Sequence, residues 1–280
     1  MSSSMLIILS AIIHAAWNSV AKKTSEPYFE VLGIMCFATV FSLFYIPFFT
    51  GPLFVSIDSF LWSFASGIFE AGYMITLALS LKQSALGKAY IIMRGMAMII
   101  VWCFSTWLLG EDIDLASFIA IFVVLTGLIL TGQTIEANRS KQIIFPLMCG
   151  ICIAGYHLCY GRSLIHGANP AALLASALWI ALPGIVFLIG KKQRRALSEK
   201  IKLGWRTMSI CGALSTISFL LFLSGLRYAE AGSAITLRNT SIVFAQVFAY
   251  FIGEKVSARQ WSGAILVTLG ASLLYAHIQP

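Results

Sequence analysis

The residues of this sequence that can do chemistry lie inside long apolar stretches. Arg94 is the single charged residue between positions 88 and 111, in the segment AYIIMRGMAM, and Arg238 occupies a comparable stretch near the C-terminus. Glu70 and His14 lie in two further apolar stretches. An ionisable group in a bilayer is costly, so such groups normally face a protein interior and mark a pathway for solutes or protons.

The types of these residues indicate an anion-binding site. Arginine presents a planar fork of donors that suits a carboxylate or phosphate, so we expect Arg94 and Arg238 to bind an anionic group from opposite halves of the membrane. Arg94 would pair with Glu70 when no substrate is bound, and Glu70 is the candidate for proton coupling. The other predicted substrate-binding residues are His14, Trp17, Asn18, Tyr90, Tyr156, His157 and Asn239.

Each of these residues also has a purely structural interpretation. Arg94 could extend its side chain to the nearer headgroups. Glu70 could simply neutralise an arginine, and the two histidines could be hydrogen-bonded packing residues. The sequence alone leaves these alternatives open.

The elements that must position these residues are membrane-spanning helices. The chain is 59% hydrophobic and 11% charged, with a mean hydropathy of +0.88, whereas soluble domains carry about 25% charged residues. A spanning helix needs roughly 20 apolar residues. Ten stretches qualify, with short connections between them: 4–22, 29–50, 58–81, 85–109, 113–133, 142–162, 169–190, 204–227, 231–252 and 257–277.

The charge distribution predicts the orientation of the chain. Apart from Arg94 and Arg238, fifteen of the 17 Lys and Arg residues lie in the odd-numbered connections or at the span ends that flank them, and only Arg162 and Arg227 lie at even-numbered ones. Basic residues concentrate in cytoplasmic loops, so we expect the odd connections in the cytoplasm and both termini outside. The net charge of +8 is therefore attributed to topology rather than to nucleic-acid binding. The basic segment 191–202, KKQRRALSEKIK, is predicted to be a cytoplasmic loop facing anionic lipid.

The second half of the chain repeats the first. LSLKQSALGKAYII at 79–92 aligns with SGLRYAEAGSAITL at 224–237, Gly110-Glu111 pairs with Gly253-Glu254, and Arg94 falls on Arg238. Because the repeated unit contains an odd number of spans, five, the second copy enters the membrane from the opposite side. The sequence thus predicts an all-α integral membrane protein, with ten transmembrane helices in two inverted five-helix repeats, 1–137 and 138–280. Substrate sites in inverted-repeat transporters lie near the midplane, between the repeats.

These features resemble the drug/metabolite transporter superfamily, EamA type. The resemblance rests on the two sets of five predicted spans, the polar and aromatic cluster of the first helix, and the sequences LGE and IGE that close the fourth and ninth spans. It implies a central cavity lined largely by helices 1, 3, 4, 6, 8 and 9, and alternating access without ATP. It also implies cytoplasmic termini, from which the charge distribution of this chain departs.

We therefore expect a secondary transporter of a small anionic or zwitterionic metabolite, such as an amino acid, an organic acid or a phosphorylated compound. The alternatives are an exporter of drugs or amphipathic lipids, and a membrane-embedded enzyme or assembly factor. The chain contains no HExxH, GxSxG or P-loop motif, so we expect no enzymatic activity, cofactor or metal. The expected partners are the substrate, the lipids of the plasma (inner) membrane, a possible coupling proton and at most a second copy of the chain.

Overall fold

A computed structural model of the chain describes residues 2–108, 115–132, 140–228, 234 and 237–278. The Gly110-Glu111 pair, the expected repeat boundary at residue 137 and the predicted start of the ninth span lie outside these ranges. Within them the regular structure is helical, which confirms the predicted all-α class. The ten α-helices, in chain order, are α1 Ser3–Lys23, α2 Pro27–Phe44, α3 Ile57–Gln83, α4 Leu86–Leu108, α5 Leu115–Gly132, α6 Lys141–Ile165, α7 Pro170–Leu188, α8 Lys191–Leu226, α9 Ser241–Phe251 and α10 Ala258–Ile278.

Most of these helices match membrane spans in length and hydropathy. Six of them, α1, α2, α3, α6, α7 and α8, are each long and apolar enough to cross a bilayer. Helices α5 and α9 contain the shorter apolar stretches Phe118–Thr131 and Ser241–Phe251. The helix bounds agree with most of the predicted spans to within a few residues.

Local sequence signals set several helix ends. Pro27 and Pro170 open α2 and α7, at the first helical position, where the missing N–H removes no helical hydrogen bond. The side chain of Asn169 accepts a hydrogen bond from the Ala171 amide at 2.9 Å, which caps α7. The connection before α7 turns at Gly167, whose φ of 90° favours glycine.

The prediction of a loop over residues 191–202 is wrong, because this segment forms the beginning of α8. The helix runs unbroken for 36 residues, or about 54 Å at roughly 1.5 Å per residue, which exceeds a hydrocarbon core of about 30 Å. Six of its twelve residues are Lys or Arg, and it also contains Gln, Ala, Leu and Glu, all of which favour helix. Arg195 pairs with Glu199 one turn later, and Lys200 forms an ion pair with Glu26 before α2.

The predicted ninth span, 231–252, contains a turn in its described part: Leu237 and Arg238 are helical, Asn239 and Thr240 form a turn, and α9 begins at Ser241. The amide of Thr240 donates to the carbonyl of Leu237 at 3.2 Å. This i→i+3 pattern is typical of a tight turn at a helix terminus. Arg238 is therefore helical and lies immediately before the turn of Asn239 and Thr240 that precedes α9.

The two halves of the chain pack mainly against each other. Helix α3 packs on α6 and α7, α2 on α8, α4 on α6, and α5 on α10. Helix α1 packs on α8 and α9. The interior between the halves is therefore bordered by α1, α3 and α4 from the first half and by α6, α8 and α9 from the second.

Helices α5 and α10 approach each other through glycines that match in the sequence repeat. A Cβ atom on Gly127 would lie 2.8 Å from the carbonyl oxygen of Gly263, and one on Gly270 would lie 2.7 Å from that of Ala120. Small residues allow such close backbone contact between membrane helices. Each of the two matched glycines, Gly127 and Gly270, contacts the other repeat, as an inverted pair should.

Candidate functional site

The structure brings the predicted site residues together in the interior between the two halves. Glu70 lies midway along α3, about 20 Å from either end at roughly 1.5 Å per residue, and thus near the middle of the membrane. The ten predicted residues are each at most 1% exposed: His14, Trp17, Asn18, Glu70, Tyr90, Arg94, Tyr156, His157, Arg238 and Asn239.

Arg238 makes hydrogen bonds and cation–π contacts with its neighbours in the cluster. Its Nη1 donates to the Ser10 hydroxyl at 3.1 Å, and its Nη2 lies 3.4 Å from Nδ1 of His14. The guanidinium also lies over two rings of α8, 4.8 Å from the centroid of Phe219 and 4.1 Å from that of Phe222. Such cation–π contacts stabilise a desolvated cation. Arg238 therefore has neutral partners, and no carboxylate forms an ion pair with it among the described residues.

His14 connects Arg238 to the first half of the chain. A guanidinium can only donate, so Nδ1 of His14 accepts from Arg238 and the neutral ring carries its proton on Nε2. Nε2 lies 3.1 Å from the hydroxyl of Tyr73, to which it then donates. The backbone carbonyl oxygen of His14 accepts hydrogen bonds from the side-chain amide of Asn18 at 2.8 Å and from the Tyr90 hydroxyl at 3.3 Å. Arg238 and Tyr73 thus hold the ring from two sides, while Asn18 and Tyr90 hold the backbone of the same residue.

Glu70 pairs with a tyrosine rather than with an arginine. The Tyr160 hydroxyl donates to Oε1 of Glu70 at 2.6 Å, and Oε2 has no hydrogen-bond partner. The Arg94–Glu70 ion pair that the sequence suggested is therefore not formed in this conformation. The Glu70 carboxylate retains one oxygen that can accept from water, substrate or an arginine that moves.

Arg94 is enclosed by protein, and two of its three side-chain nitrogens have no hydrogen-bond partner. Its side chain is 1% exposed, so it does not extend to the lipid surface in this conformation. Neither Nε nor Nη1 has a hydrogen-bond partner. Arg94 lies about 12 Å along α4 from Leu86 at roughly 1.5 Å per residue. The preceding residue, Met93, places its sulfur 3.7 Å from that of Cys149 on α6.

Other polar atoms of the cluster also lack partners within the protein. An unpaired buried polar atom typically costs about 1–3 kcal/mol, so their concentration in one place is unusual for a region that serves only for packing. The atoms concerned are Nε1 of Trp17, Oδ1 of Asn18, Oη of Tyr156, Nδ1 and Nε2 of His157, Nε of Arg238 and Nδ2 of Asn239. These donors and acceptors are available to water or to a bound solute.

Aromatic rings form one wall of the cluster. Tyr156 lies at its centre, with ring centroids 5.3 Å from Tyr73, 4.4 Å from His157 and 5.3 Å from Tyr160. The ring of His157 lies 5.0 Å from that of Phe222. The cluster thus combines cationic donors with an aromatic surface.

Sequence reasoning did not assign a role to Ser10, Phe219 or Phe222. Ser10 is one helical turn before His14, and the spacing of i to i+4 predicts that the two share a face of α1. Phe219 and Phe222 also share a face of α8, but phenylalanine is so common in membrane spans that nothing in the sequence distinguishes them. Cys149 packs against a methionine, and the described residues contain no group of side chains arranged to hold a metal ion.

Solved structures share this fold. One of them, described only as the crystal structure of a protein, superposes with a TM-score of 0.65 at 15% sequence identity and covers 100% of this chain and 99% of its own. In all, 28 chains of solved structures match. No protein of curated function matches the chain.

A family model supplies the assignment that the fold alone does not. The model of the EamA-like transporter family matches twice, at residues 1–133 and 141–276. The two matches cover nearly the whole chain, and they correspond to the two repeats seen in the sequence. The chain is therefore a multi-pass membrane protein of the EamA-like transporter family, in the drug/metabolite transporter superfamily.

Proposed function

We propose that this transporter carries a small anionic or zwitterionic metabolite across the plasma membrane by secondary transport and alternating access. The observation that carries the proposal is the pair of buried arginines, neither of which forms an ion pair with a described carboxylate. A buried charge without a counter-ion is strongly unfavourable. A substrate carboxylate or phosphate would supply the missing charge.

The geometry of Arg94 supports a direct contact with that anionic group. Nε and Nη1 of the guanidinium are both without partners, so each has a donor left for an oxygen of the substrate's anionic group. The free oxygen of Glu70 could bind a substrate ammonium group, as a zwitterion would require. The Arg238 guanidinium, with Nε still unpaired, would take over the anion when the other side opens.

Three variants test the proposal in proteoliposomes: Arg94→Lys, Arg94→Ala and Arg238→Ala. A panel of amino acids, organic acids and sugar phosphates is screened for uptake by the unmodified protein, and the solute that it transports is then used for binding. We expect both alanine variants to fold and to bind about 10- to 150-fold more weakly, from the roughly 1.5–3 kcal/mol of a hydrogen bond to a charged group. Arg94→Lys should also weaken binding, because a lysine lacks the planar, fixed set of donors of the guanidinium.

A matched control is Arg206→Ala. Arg206 is exposed and lies over the ring of Trp205, far from the cluster along α8, so its loss should leave binding unchanged. Normal binding and transport by all three site variants would refute an anionic substrate while leaving the family assignment intact.

The aromatic wall favours one second candidate, an exporter of drugs or amphipathic lipids. Tyr73, Tyr156 and Tyr160 present ring faces that suit an apolar cation or an acyl chain. This candidate predicts that transport survives the loss of either arginine and fails when Tyr156 is replaced by alanine. Uptake of an aromatic cation and of the metabolite panel into the same proteoliposomes distinguishes the exporter from the metabolite transporter.

A further inference from the structure

A carboxylate from the second repeat caps the helix that carries Arg94. Glu254 lies in the connection between α9 and α10, and each of its two carboxylate oxygens lies 2.9 Å from the backbone N of Leu86, the first residue of α4. The chain turns into this position at Gly253, which has a φ of 88°. The amide of Glu254 itself donates to the carbonyl of Ala249 at 3.0 Å, which anchors the turn to α9.

This contact is stronger than an ordinary loop contact. The first amides of an α-helix have no partner inside the helix, and an anion at that end also interacts favourably with the helix dipole. A bond from an amide to a carboxylate is roughly twice as strong as one between neutral groups. Burial raises the pKa of the Glu254 carboxyl, while the Leu86 amide and the Lys22 ammonium group act to lower it.

The end of α1 reinforces the same junction. Nζ of Lys22 donates to the carbonyl oxygens of Leu81 and Ser84, both at 2.7 Å, and so caps the C-terminus of α3. The Ser84 hydroxyl in turn donates to the carbonyl of Gln142 at the start of α6, at 2.9 Å. Four helix ends from both repeats are thus joined on one side of the membrane, which the distribution of basic residues assigns to the cytoplasm.

The layer between this junction and the polar cluster is tightly packed. A Cβ atom on Gly87 would lie 2.3 Å from Oε1 of Gln246 on α9, so α4 and α9 are in close contact directly beneath the cap. Gln246 is fully buried, and its amide has no hydrogen-bond partner. Further inward, the Tyr90 hydroxyl bonds to the His14 carbonyl. The route from the cluster to this side is therefore closed.

We propose that Glu254 is a positioning residue for transport: its bond to the Leu86 amide holds the start of α4 against α9 and keeps the site closed on this side. Opening towards this side requires the bond to break, which frees α4 and carries Arg94 away from the cluster. The inference rests on the proposed alternating access. It assigns a physical role to the Gly-Glu pair that ends the ninth span.

The accessibility of Cys149 tests the proposal without any substrate. Cys149 is fully buried beside Met93, about 12 Å along α6 from Lys141 at roughly 1.5 Å per residue. In a background with the other five cysteines replaced by serine, a membrane-impermeant maleimide is added to sealed vesicles from one side at a time. The protein variants compared are Glu254→Ala, Glu254→Gln and Leu86→Pro.

We expect Glu254→Ala to raise the labelling rate of Cys149 from the Glu254 side about tenfold or more, since loss of a hydrogen bond to a charged group shifts a two-state equilibrium by roughly that factor. Labelling from the other side should not rise. Glu254→Gln should give a smaller increase, because a neutral amide oxygen still accepts one bond. Leu86→Pro should resemble Glu254→Ala, because proline is tolerated at the first helical position and lacks the donor. Since it also replaces a buried leucine side chain, it is compared with Leu86→Ala, which keeps the donor.

A matched control is Glu26→Ala, which removes a carboxylate that pairs with Lys200 near the same surface but makes no capping bond to a helix amide. It should leave Cys149 protected. Thermal unfolding in detergent checks that each variant is folded. Unchanged labelling in folded Glu254→Ala and Leu86→Pro would overturn the role of Glu254, as would an equal increase from both sides. Because no solute is present in this experiment, neither result bears on the proposal of an anionic substrate. The arginine variants test that proposal separately.

Discussion

Replacing Arg238 by methionine separates its contribution to folding from its contribution to binding. Methionine has a flexible, unbranched apolar chain that can fill much of the arginine volume against Phe219 and Phe222. The variant removes the charge, the bond to Ser10 and the bond to His14. Ser10 keeps a neighbour, because the Ser218 hydroxyl lies 3.5 Å from its own.

The expected change in the free energy of unfolding is small. The two bonds of the guanidinium are worth about 1.5 kcal/mol each, and the two ring contacts about 1 kcal/mol each, or about 5 kcal/mol together. Desolvating an ion in a protein interior costs several kcal/mol. These contributions nearly cancel, so Arg238→Met should change the free energy of unfolding by less than about 2 kcal/mol in either direction.

Binding should respond differently. With the cation gone, an anionic solute loses one charge-assisted contact, and its affinity should fall about 10- to 150-fold. The measurements are unfolding in detergent and equilibrium binding of the transported solute to the purified protein. A variant destabilised by more than about 3 kcal/mol that still binds normally would show that Arg238 is structural, and the reasoning would fail.

Three further predictions follow from other parts of the molecule. Glu70→Gln should retain solute exchange but lose gradient-driven accumulation, since the amide cannot carry a proton; unchanged accumulation would exclude Glu70 as the carrier. Gly127→Ala should lower the free energy of unfolding by about 1–3 kcal/mol through overpacking, more than Gly184→Ala, where the nearest atom to a new Cβ is a side-chain methyl at 3.3 Å. A reporter fused to the C-terminus should be active only outside the cytoplasm, and cytoplasmic activity would reverse the assigned topology but not the repeat.

The sequence predicts the helices well because the bilayer restricts the possible structures so strongly. Backbone groups cannot remain unpaired in hydrocarbon, so an apolar stretch of sufficient length must be a helix. The same argument does not apply outside the bilayer, and there the loop predicted for residues 191–202 is instead the first part of α8. The turn at Asn239 and Thr240 was equally hidden, because a buried turn inside an apolar span leaves the hydropathy pattern unchanged.

The pairing of the charged residues could not be predicted from the sequence. Spacing along one helix predicts shared faces, as for His14 and Asn18, but it says nothing about how neighbouring helices are rotated. Opposite charges suggested an ion pair between Arg94 and Glu70. In the structure Glu70 accepts from Tyr160, and an arginine from the other repeat reaches His14.

The Gly-Glu pair shows how a pattern can be found before its cause is known. Sequence comparison identified Gly253-Glu254 only as a repeated signature after the ninth span. The structure gives it a cause, because the glycine adopts a left-handed turn and the carboxylate then bonds to the first amide of α4, 168 residues away. A contact made across the two repeats can constrain their relative movement, whereas a cap within one repeat cannot. The position of the Glu254 contact between the two repeats favours a role in gating over a role in the stability of a single helix.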